Sequence, residues 1–302
     1  MHANVVIVGS LNMDLIVRTP RLPFGGETLA GHGFSTAPGG KGANQAVAAA
    51  RLGARAAMIG CVGDDAYGAA LRDGLVAEGI DCSAVATVAG VSTGIASILV
   101  DDDGQNAIVI AAGANGEMSP DLLKAHDDVL ASASVVIAQL EVPNPTVEAV
   151  LTRAHEHGRT VILNPAPATG PLPSAWYRLI DFIIPNESEA ALLTGVTVNS
   201  PETALVAAKR LLEAGVKRVL ITLGHQGVLY ADGDGHTHYP VEPVNAIDTT
   251  AAGDTFVGGF AAALANGETL QTAISLGQQA AALAVTRPGA QPSIPYCHEL
   301  TV

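Results

Sequence analysis

Aromatic residues make up only 4% of this 302-residue chain, with a single tryptophan. Hydrophobic residues nonetheless reach 48%, so Ala, Val, Leu and Ile must fill the core, and such small side chains suit helices packed closely on a sheet. Basic residues are also scarce: 15 Lys and Arg stand against 29 Asp and Glu, a formal net charge of −14. That balance repels phosphate backbones at long range and excludes DNA or RNA as a partner. Any phosphate site must then be built locally, from backbone amides, a few cations and a metal ion. The three cysteines, Cys61, Cys82 and Cys297, are too few and too far apart for a disulfide framework or a zinc site, and there is no C-x-x-C pair. A reducing cytoplasm is the expected compartment. No H-E-x-x-H occurs, and His155, His157, His236 and His238 are expected to be solvated rather than metal-bound. No apolar run is long enough to span a bilayer; the longest alanine-rich stretch, Phe256 to Ala265, is interrupted by Gly258 and Gly259. The opening apolar run stops at Gly9 and lacks a basic flank, so it reads as a first strand rather than a signal peptide.

Short Val- and Ile-rich runs alternate with longer Ala/Leu segments of helical period. Residues 5–8, 56–61, 135–139, 160–163, 182–184 and 218–222 read as strands apolar on both faces, which suits a parallel sheet covered by helices. Residues 44–52, 68–78, 145–157, 187–194, 201–214, 253–266 and 270–285 read as those helices. The alternation predicts one α/β domain over residues 1–302, with a doubly wound, mainly parallel sheet. Two stretches break the rhythm. Residues 15–34 carry prolines and glycines, and residues 93–110 hold two β-rich runs around Asp102-Asp103-Gly104, a hairpin signal. Both are assigned to a small β-sheet acting as a lid over the carboxyl edge of the main sheet.

Three segments carry chemistry. Gly9-Ser10-Leu11-Asn12-Met13-Asp14 follows the first strand, where ligands bind in open α/β sheets. It lacks the G-x-G-x-x-G of a dinucleotide site, which counts against a nicotinamide-dependent dehydrogenase. Pro38-Gly39-Gly40-Lys41-Gly42-Ala43-Asn44 opens an alanine-rich helix without being a Walker A loop. Its glycines permit close backbone approach, and the helix start offers free amides. In Asp248-Thr249-Thr250-Ala251-Ala252-Gly253-Asp254, small residues lead into another helix. The amides of Ala252, Gly253 and Asp254 are placed to converge on an anion, with Asp254 ready to accept a proton. Simple N-capping explains one Asp, but not the clearing of side chains around a carboxylate. The helix dipole is expected to keep Asp254 ionised.

Together these motifs resemble the PfkB family of sugar and nucleoside kinases, also called the ribokinase family. The resemblance rests on GGKGANQAVAAARLGA (residues 39–54) and DTTAAGDTFVGGF (residues 248–260). GSLNMD, STG (92–94), AGAN (112–115), LNPAP (163–167), PNE (185–187), ITLG (221–224) and VTRPGAQPS (285–293) fall in order around them. It implies a ribokinase-like fold, ATP with Mg2+ and K+, and phosphorylation of a small sugar, with D-ribose at O5 the expected acceptor. Fructose, deoxyribose or a nucleoside remain open as acceptors, as does a non-catalytic sugar-binding role. Carried onto this chain, Asn12, Asp14, Gly40, Lys41, Gly42, Asn44 and Glu141 resemble the sugar-binding set. Asp254 matches the catalytic base, beside Ala252 and Gly253. Asn186, Thr222, Gly224, Gly227, Gly253 and Gln278 resemble nucleotide contacts, although some relatives carry a histidine or asparagine at Gln278. Glu189 is linked indirectly to magnesium. Asp248, Thr250, Ala284, Arg287, Gly289 and Ser293 match positions around a monovalent cation. The resemblance also implies a homodimer paired through the lid, where Ile95, Ile98, Val100, Ile108 and Ile110 need cover.

Overall fold

The structure, a computed structural model, describes residues 3–300. β1 (Val5–Val8) is buried at every residue, with Val6 and Val8 facing one core and Val5 and Ile7 the other. The chain leaves for β2 (Asn12–Thr19) and β3 (Gly33–Gly39). It returns through α1 (Lys41–Arg51), β4 (Ala56–Gly63), α2 (Ala66–Ala77) and β5 (Asp81–Val88), then forms the hairpin of β6 (Gly94–Asp101) and β7 (Asn106–Ala111). Next come α3 (Pro120–Ala125), α4 (Asp127–Ser132), β8 (Val135–Ala138), α5 (Asn144–Glu156), β9 (Thr160–Leu163), β10 (Phe182–Ile183), α6 (Glu187–Thr194) and α7 (Pro201–Ala214). β11 (Arg218–Thr222), β12 (Val228–Asp232), β13 (His236–Tyr239), α8 (Ala252–Ala265) and α9 (Leu270–Ala284) complete it.

The main sheet has nine strands in the order β13-β12-β11-β10-β9-β8-β1-β4-β5. It is parallel except for β12 and β13 at one edge. β1 lies between β4 and β8, so the chain winds outward on one side of it and later on the other. The carboxyl ends of β1 and β8 therefore bound a crevice of the kind in which such sheets bind ligands. α1, α2, α8 and α9 cover one face, through Ala46, Leu71, Phe260 and Ile274. α3 to α7 cover the other, through Leu123, Leu130, Val150, Ala190 and Ala208. Three of the five phenylalanines pack together at α8, where the Phe260 ring meets Phe182 at 5.1 Å and Phe256 at 6.1 Å. α8 lies tight on α1 because Gly258 has no side chain; a Cβ there would stand 2.5 Å from Ala48 Cβ and 2.7 Å from the Gln45 carbonyl oxygen.

β3, β2, β6 and β7 make a separate four-stranded sheet. Its segments differ from the expected 15–34 and 93–110. β2 begins at Asn12, so Asn12 and Asp14 belong to the small sheet rather than to a turn after β1. No strand covers residues 20–32, where Pro20 and Pro23 cannot sustain a ladder. β5, β12, β13, α3 and α4 lay outside the sequence expectation. β5 alternates buried and exposed residues instead of forming an apolar run, and β13 is largely exposed at the sheet edge. α1 starts at Lys41, three residues before the expected 44, with Gly40 as its N-cap at φ 90°. In the small sheet Phe34, Ile108, Val109 and Ile110 are exposed, by 66%, 52%, 71% and 50%. Among the described residues no helix is long and apolar enough to cross a membrane.

Candidate active site

The crevice between β1 and β8 is closed by polar contacts that each strand end presents. Ser10 Oγ donates to Glu141 Oε2 at 2.5 Å and accepts from the Gly42 amide at 3.3 Å, while the Lys41 amide donates to the same Glu141 oxygen at 3.2 Å. Glu141 is thus pinned at the start of α1. Gly40 makes that approach possible, because a Cβ would lie 2.7 Å from the Asn12 nitrogen and 2.8 Å from the Ser10 carbonyl. Asn115 fixes the other side. Its Oδ1 accepts from the Leu11 amide at 2.9 Å, and its Nδ2 donates to the Leu11 carbonyl at 3.0 Å and to Asn12 Oδ1 at 2.8 Å.

Asp254 stands in the first turn of α8 and is buried. Asn44 Nδ2 donates to its Oδ2 at 3.0 Å, and Gln45 Nε2 donates to its Oδ1 at 2.8 Å. Asn44 Oδ1 is buried without a partner, an acceptor left over for a ligand. The helix is entered through Ala251, which at φ 58° is the only non-glycine residue with positive φ among the described residues. Such backbone costs about 1–2 kcal/mol and persists where the surroundings impose it. The three amides expected to converge differ in their present partners. Ala252 N–H is spent on the Thr249 carbonyl at 3.2 Å, because the turn that places Ala251 in the left-handed region closes there. The amides of Gly253 and Asp254 have no partner among the described residues, and the space over the Gly253 α-carbon is open within 4 Å.

The carboxyl groups of Asp254, Glu141 and Glu189 act on the Lys41 ammonium, and Asp14 faces two of them. Burial, then Glu141 and Asp254, push the Asp14 carboxyl up to about 7. Burial also raises Asp254; Lys41, Asn44 and Gln45 pull against it, and Glu141 adds to it. Burial thus works against the helix start at Asp254, while Lys41 and the two amide donors favour its ionised form. Burial works against the Lys41 charge, but Asp254, Glu141 and Glu189 outweigh it and hold the ammonium above its usual range. Glu189 is raised by burial despite the Asn186 amide and Lys41.

A cavity of about 180 Å³ opens beside Asp254, lined by Lys41, Asn164, Asn186, Glu189, Thr222, Ala252 and Gly253 among others. Asn186 and Glu189 cap α6 reciprocally, Glu189 Oε2 accepting from the Asn186 amide at 2.9 Å and Asn186 Oδ1 from the Glu189 amide at 2.8 Å. A second cavity of about 550 Å³ is lined by Gln278 with Pro240, Val241, Val244 and Leu283. Gln278 Nε2 donates to the Tyr239 carbonyl at 2.9 Å. Gly224 and Gly227 line neither cavity. Gly227, at φ 91°, packs against the Tyr239 carbonyl, which a Cβ would strike. Asp248 Oδ1 accepts from the Thr250 amide at 2.9 Å and its hydroxyl at 2.6 Å, and Oδ2 accepts from the Gly289 amide at 2.8 Å. Ser293 Oγ donates to the Ala290 carbonyl at 2.8 Å. The Ala284 carbonyl accepts from the Arg287 amide at 3.0 Å, and Arg287 Nη2 pairs with Glu299 Oε1 at 2.7 Å. Two of the histidines are not simply solvated: His157 Nε2 lies 3.1 Å from Asp127 and His238 Nε2 2.6 Å from the Gln226 carbonyl.

Ser10, Gln45, Asn115 and Asn164 went unassigned from sequence although each sits inside a quoted motif. Their signal is a lone polar residue in an apolar stretch at the end of a buried strand or the start of a helix, which cannot be buried without partners.

A buried carboxylate held by two side-chain amides, in the same helix turn as two unpartnered backbone amides, is the arrangement of a phosphotransferase. A family model described as pfkB family carbohydrate kinase matches residues 2–297, and the chain belongs to that family. It is 44% identical to the ribokinase of Mus musculus over 303 residues, covering 99% of this chain and 94% of that protein. It is 43% identical to the ribokinase of Haemophilus influenzae over 299 residues, covering 99% and 97%. The solved structure of Arabidopsis thaliana ribokinase complexed with ribose and ATP superposes with a TM-score of 0.92 at 33% identity, covering 99% and 97% of the two chains.

Proposed function

We propose that this protein is a ribokinase, transferring the γ-phosphoryl group of ATP to O5 of D-ribose. One observation carries the reading. Asp14, Lys41, Asn44, Glu141 and Asp254, from four separate parts of the chain, form one electrostatically coupled group beside two free amides. Asp14, Asn12, Lys41, Asn44 and Glu141 hold the sugar hydroxyls, with Gly40 and Gly42 giving the backbone close access. Asp254 takes the proton of the 5-hydroxyl as it attacks, a step for which positioned bases contribute roughly 10²–10⁴-fold. The Gly253 and Asp254 amides receive the charge that develops on the phosphoryl group.

Asn186, Thr222 and Lys41 line the phosphate side, and the cavity at Gln278 takes the nucleoside. Glu189 suits a divalent cation, since only its Oε2 is spent on the cap and its other carboxylate oxygen is left over. Magnesium, when bound there through water or phosphate, supplies positive charge to the phosphate oxygens. For the monovalent ion, the Asp248 carboxylate is held in place by Thr250 and Gly289, and the Ser293 hydroxyl keeps its lone pairs free. These hard oxygens fit K+. The small sheet is the lid, and its exposed Ile108, Val109 and Ile110 pair two subunits. A cytoplasmic location accords with the free cysteines.

The test is kcat/KM for ribose, 2-deoxyribose, fructose and adenosine, measured as ADP release under one set of conditions. Ribose should lead, because a site built to bond each hydroxyl rejects acceptors that leave its buried polar groups unpaired. A lead for fructose or adenosine would overturn the acceptor, and no ADP release with any of them would overturn the kinase reading.

A further inference from the structure

Gln45 is no part of the proposed substrate contacts, yet it is fully buried between Asp254 and the sheet. Its Nε2 spends both protons, one on Asp254 Oδ1 at 2.8 Å and one on Asn164 Oδ1 at 3.0 Å. Its Oε1 accepts from Gln139 Nε2 at 2.6 Å. Asn164 Nδ2 in turn donates to the Ile184 carbonyl at 2.9 Å, which leaves Asn164 Oδ1 facing Gln45. Each amide in this row is thereby fixed by its neighbour. Turning Gln45 over would set its oxygen against two acceptors and its NH2 against that of Gln139. The row runs from the ends of β8 and β9 through α1 to the first turn of α8, with the donors of Gln139 and Gln45 pointing towards the carboxylate, an arrangement in which successive bonds polarise one another.

We propose that Gln45 is a positioning residue for Asp254, locking the plane of the carboxylate and presenting only a donor to it, so that the group stays an acceptor toward the sugar hydroxyl. The inference rests on the reading of Asp254 as the base. Both Asp254 oxygens receive a donor, from Asn44 and Gln45. A protonated carboxyl would turn one oxygen into a donor, which Asn44 can meet by turning its spare Oδ1 but Gln45, fixed by Gln139 and Asn164, cannot. The charged groups facing Asp254 are Lys41 of α1, Glu141 after β8, Asp14 of β2 and Glu189 of α6. The carboxyl groups among them, together with burial, favour the protonated form, and Lys41 alone opposes it by charge. Asn44 is also a proposed sugar ligand with an oxygen to spare, so its bond can be redirected when sugar arrives. Gln45 has no atom left to redirect.

The test is the pH profile of kcat at saturating sugar and ATP, which reports the bound complex. Gln45→Met keeps the length of the side chain and removes both donors. Its kcat should fall about tenfold or more and its acid limb move up by about one pH unit, as expected for losing a hydrogen bond to a charged group. Its sugar KM should move less than about threefold, since no sugar contact is lost. Gln139→Met removes only the donor that orients Gln45, together with a buried carbonyl that has no partner. It should shift the limb less, in the same direction, and it decides the matter if Gln45→Met does not fold. An acid limb that stays in place, or a loss seen in KM alone, overturns the proposal. Asp254→Asn run alongside separates the two ideas. Near-parental turnover there sinks the base reading, while an inactive Asp254→Asn with unmoved limbs in the glutamine variants sinks this inference alone.

Discussion

Ser10 and Glu141, 131 residues apart in the chain, are joined by a 2.5 Å hydrogen bond across the gap between β1 and β8. Ser10 is fully buried, so its hydroxyl has no water to compete for it and serves to aim the carboxylate. Ser10→Ala should raise the sugar KM about tenfold and leave kcat within about twofold, the cost of one bond to a charged group. Steady-state kinetics over a range of sugar concentrations checks this; a fall in kcat at fixed KM would mean that Glu141 acts in the chemical step.

Asp254→Ala should lower turnover at least about 10²-fold, as for loss of a general base. Sugar binding measured by calorimetry should persist, since Asp14, Asn44 and Glu141 remain. A variant that keeps more than about a tenth of the parental rate would remove Asp254 from the base's role.

The Asp14 carboxyl, pushed up to about 7 from 3.8, gives opposite signs for binding and for folding. An ionised Asp14 accepts sugar hydroxyl protons, so sugar affinity should rise as pH climbs from 5.5 to 7.5 and level off above it. Below about pH 7 binding should release a proton, seen as a calorimetric enthalpy that varies with the buffer. For folding, the native state holds a proton between about pH 4 and 7 that the unfolded chain gives up. This group's stabilising contribution is therefore complete below 3.8 and is lost as pH rises through 7. Affinity that is flat across this range would dismiss Asp14 as a sugar ligand.

Potassium should activate. An ion held by Asp248 would brace the loop that runs into Ala251 and so shape the amides at the start of α8. Rates in potassium and in tetramethylammonium buffers of equal ionic strength are the comparison, and equal rates would reduce Asp248 to the turn-former that its bonds to Thr250 already make it.

The outer strand of the small sheet, β7, is exposed at every residue. An unpaired apolar edge of this kind normally finds a partner. Light scattering at micromolar protein should give a dimer, and Ile108→Lys with Ile110→Lys should halve the mass. A monomer for the parent chain would rule out the pairing.

The core strands were legible because parallel strands buried on both faces, such as Val5–Val8, read as unbroken apolar runs. GGKGANQ and AAGD were legible because glycine and alanine density beside a charged residue has few uses other than ligand approach. What stayed hidden depends on distance in the chain. Gln45 is an unremarked polar residue in an alanine helix until α8 brings Asp254, 209 positions away, onto its amide. Asn115 likewise gains meaning only where it meets Leu11 and Asn12. β5 escaped notice because an edge strand exposes alternate residues and breaks the apolar run. The burial of Asp254 was not legible, because local position on a helix is visible in sequence, whereas the depth at which that helix start is buried is not.

Asn12 and Asp14 ride on β2, the same strand that pairs with β3 and β6 in the cover over the cleft. On the proposed reading, an acceptor held by Asn12 and Asp14 would be held by the small sheet itself. Each hydroxyl bonded by this strand would then tie the acceptor to the sheet, and a water molecule, with fewer hydrogen-bonding groups, would be tied less. A carboxylate base accepts a proton from sugar or water alike, so the proposed preference for sugar would rest on those added bonds.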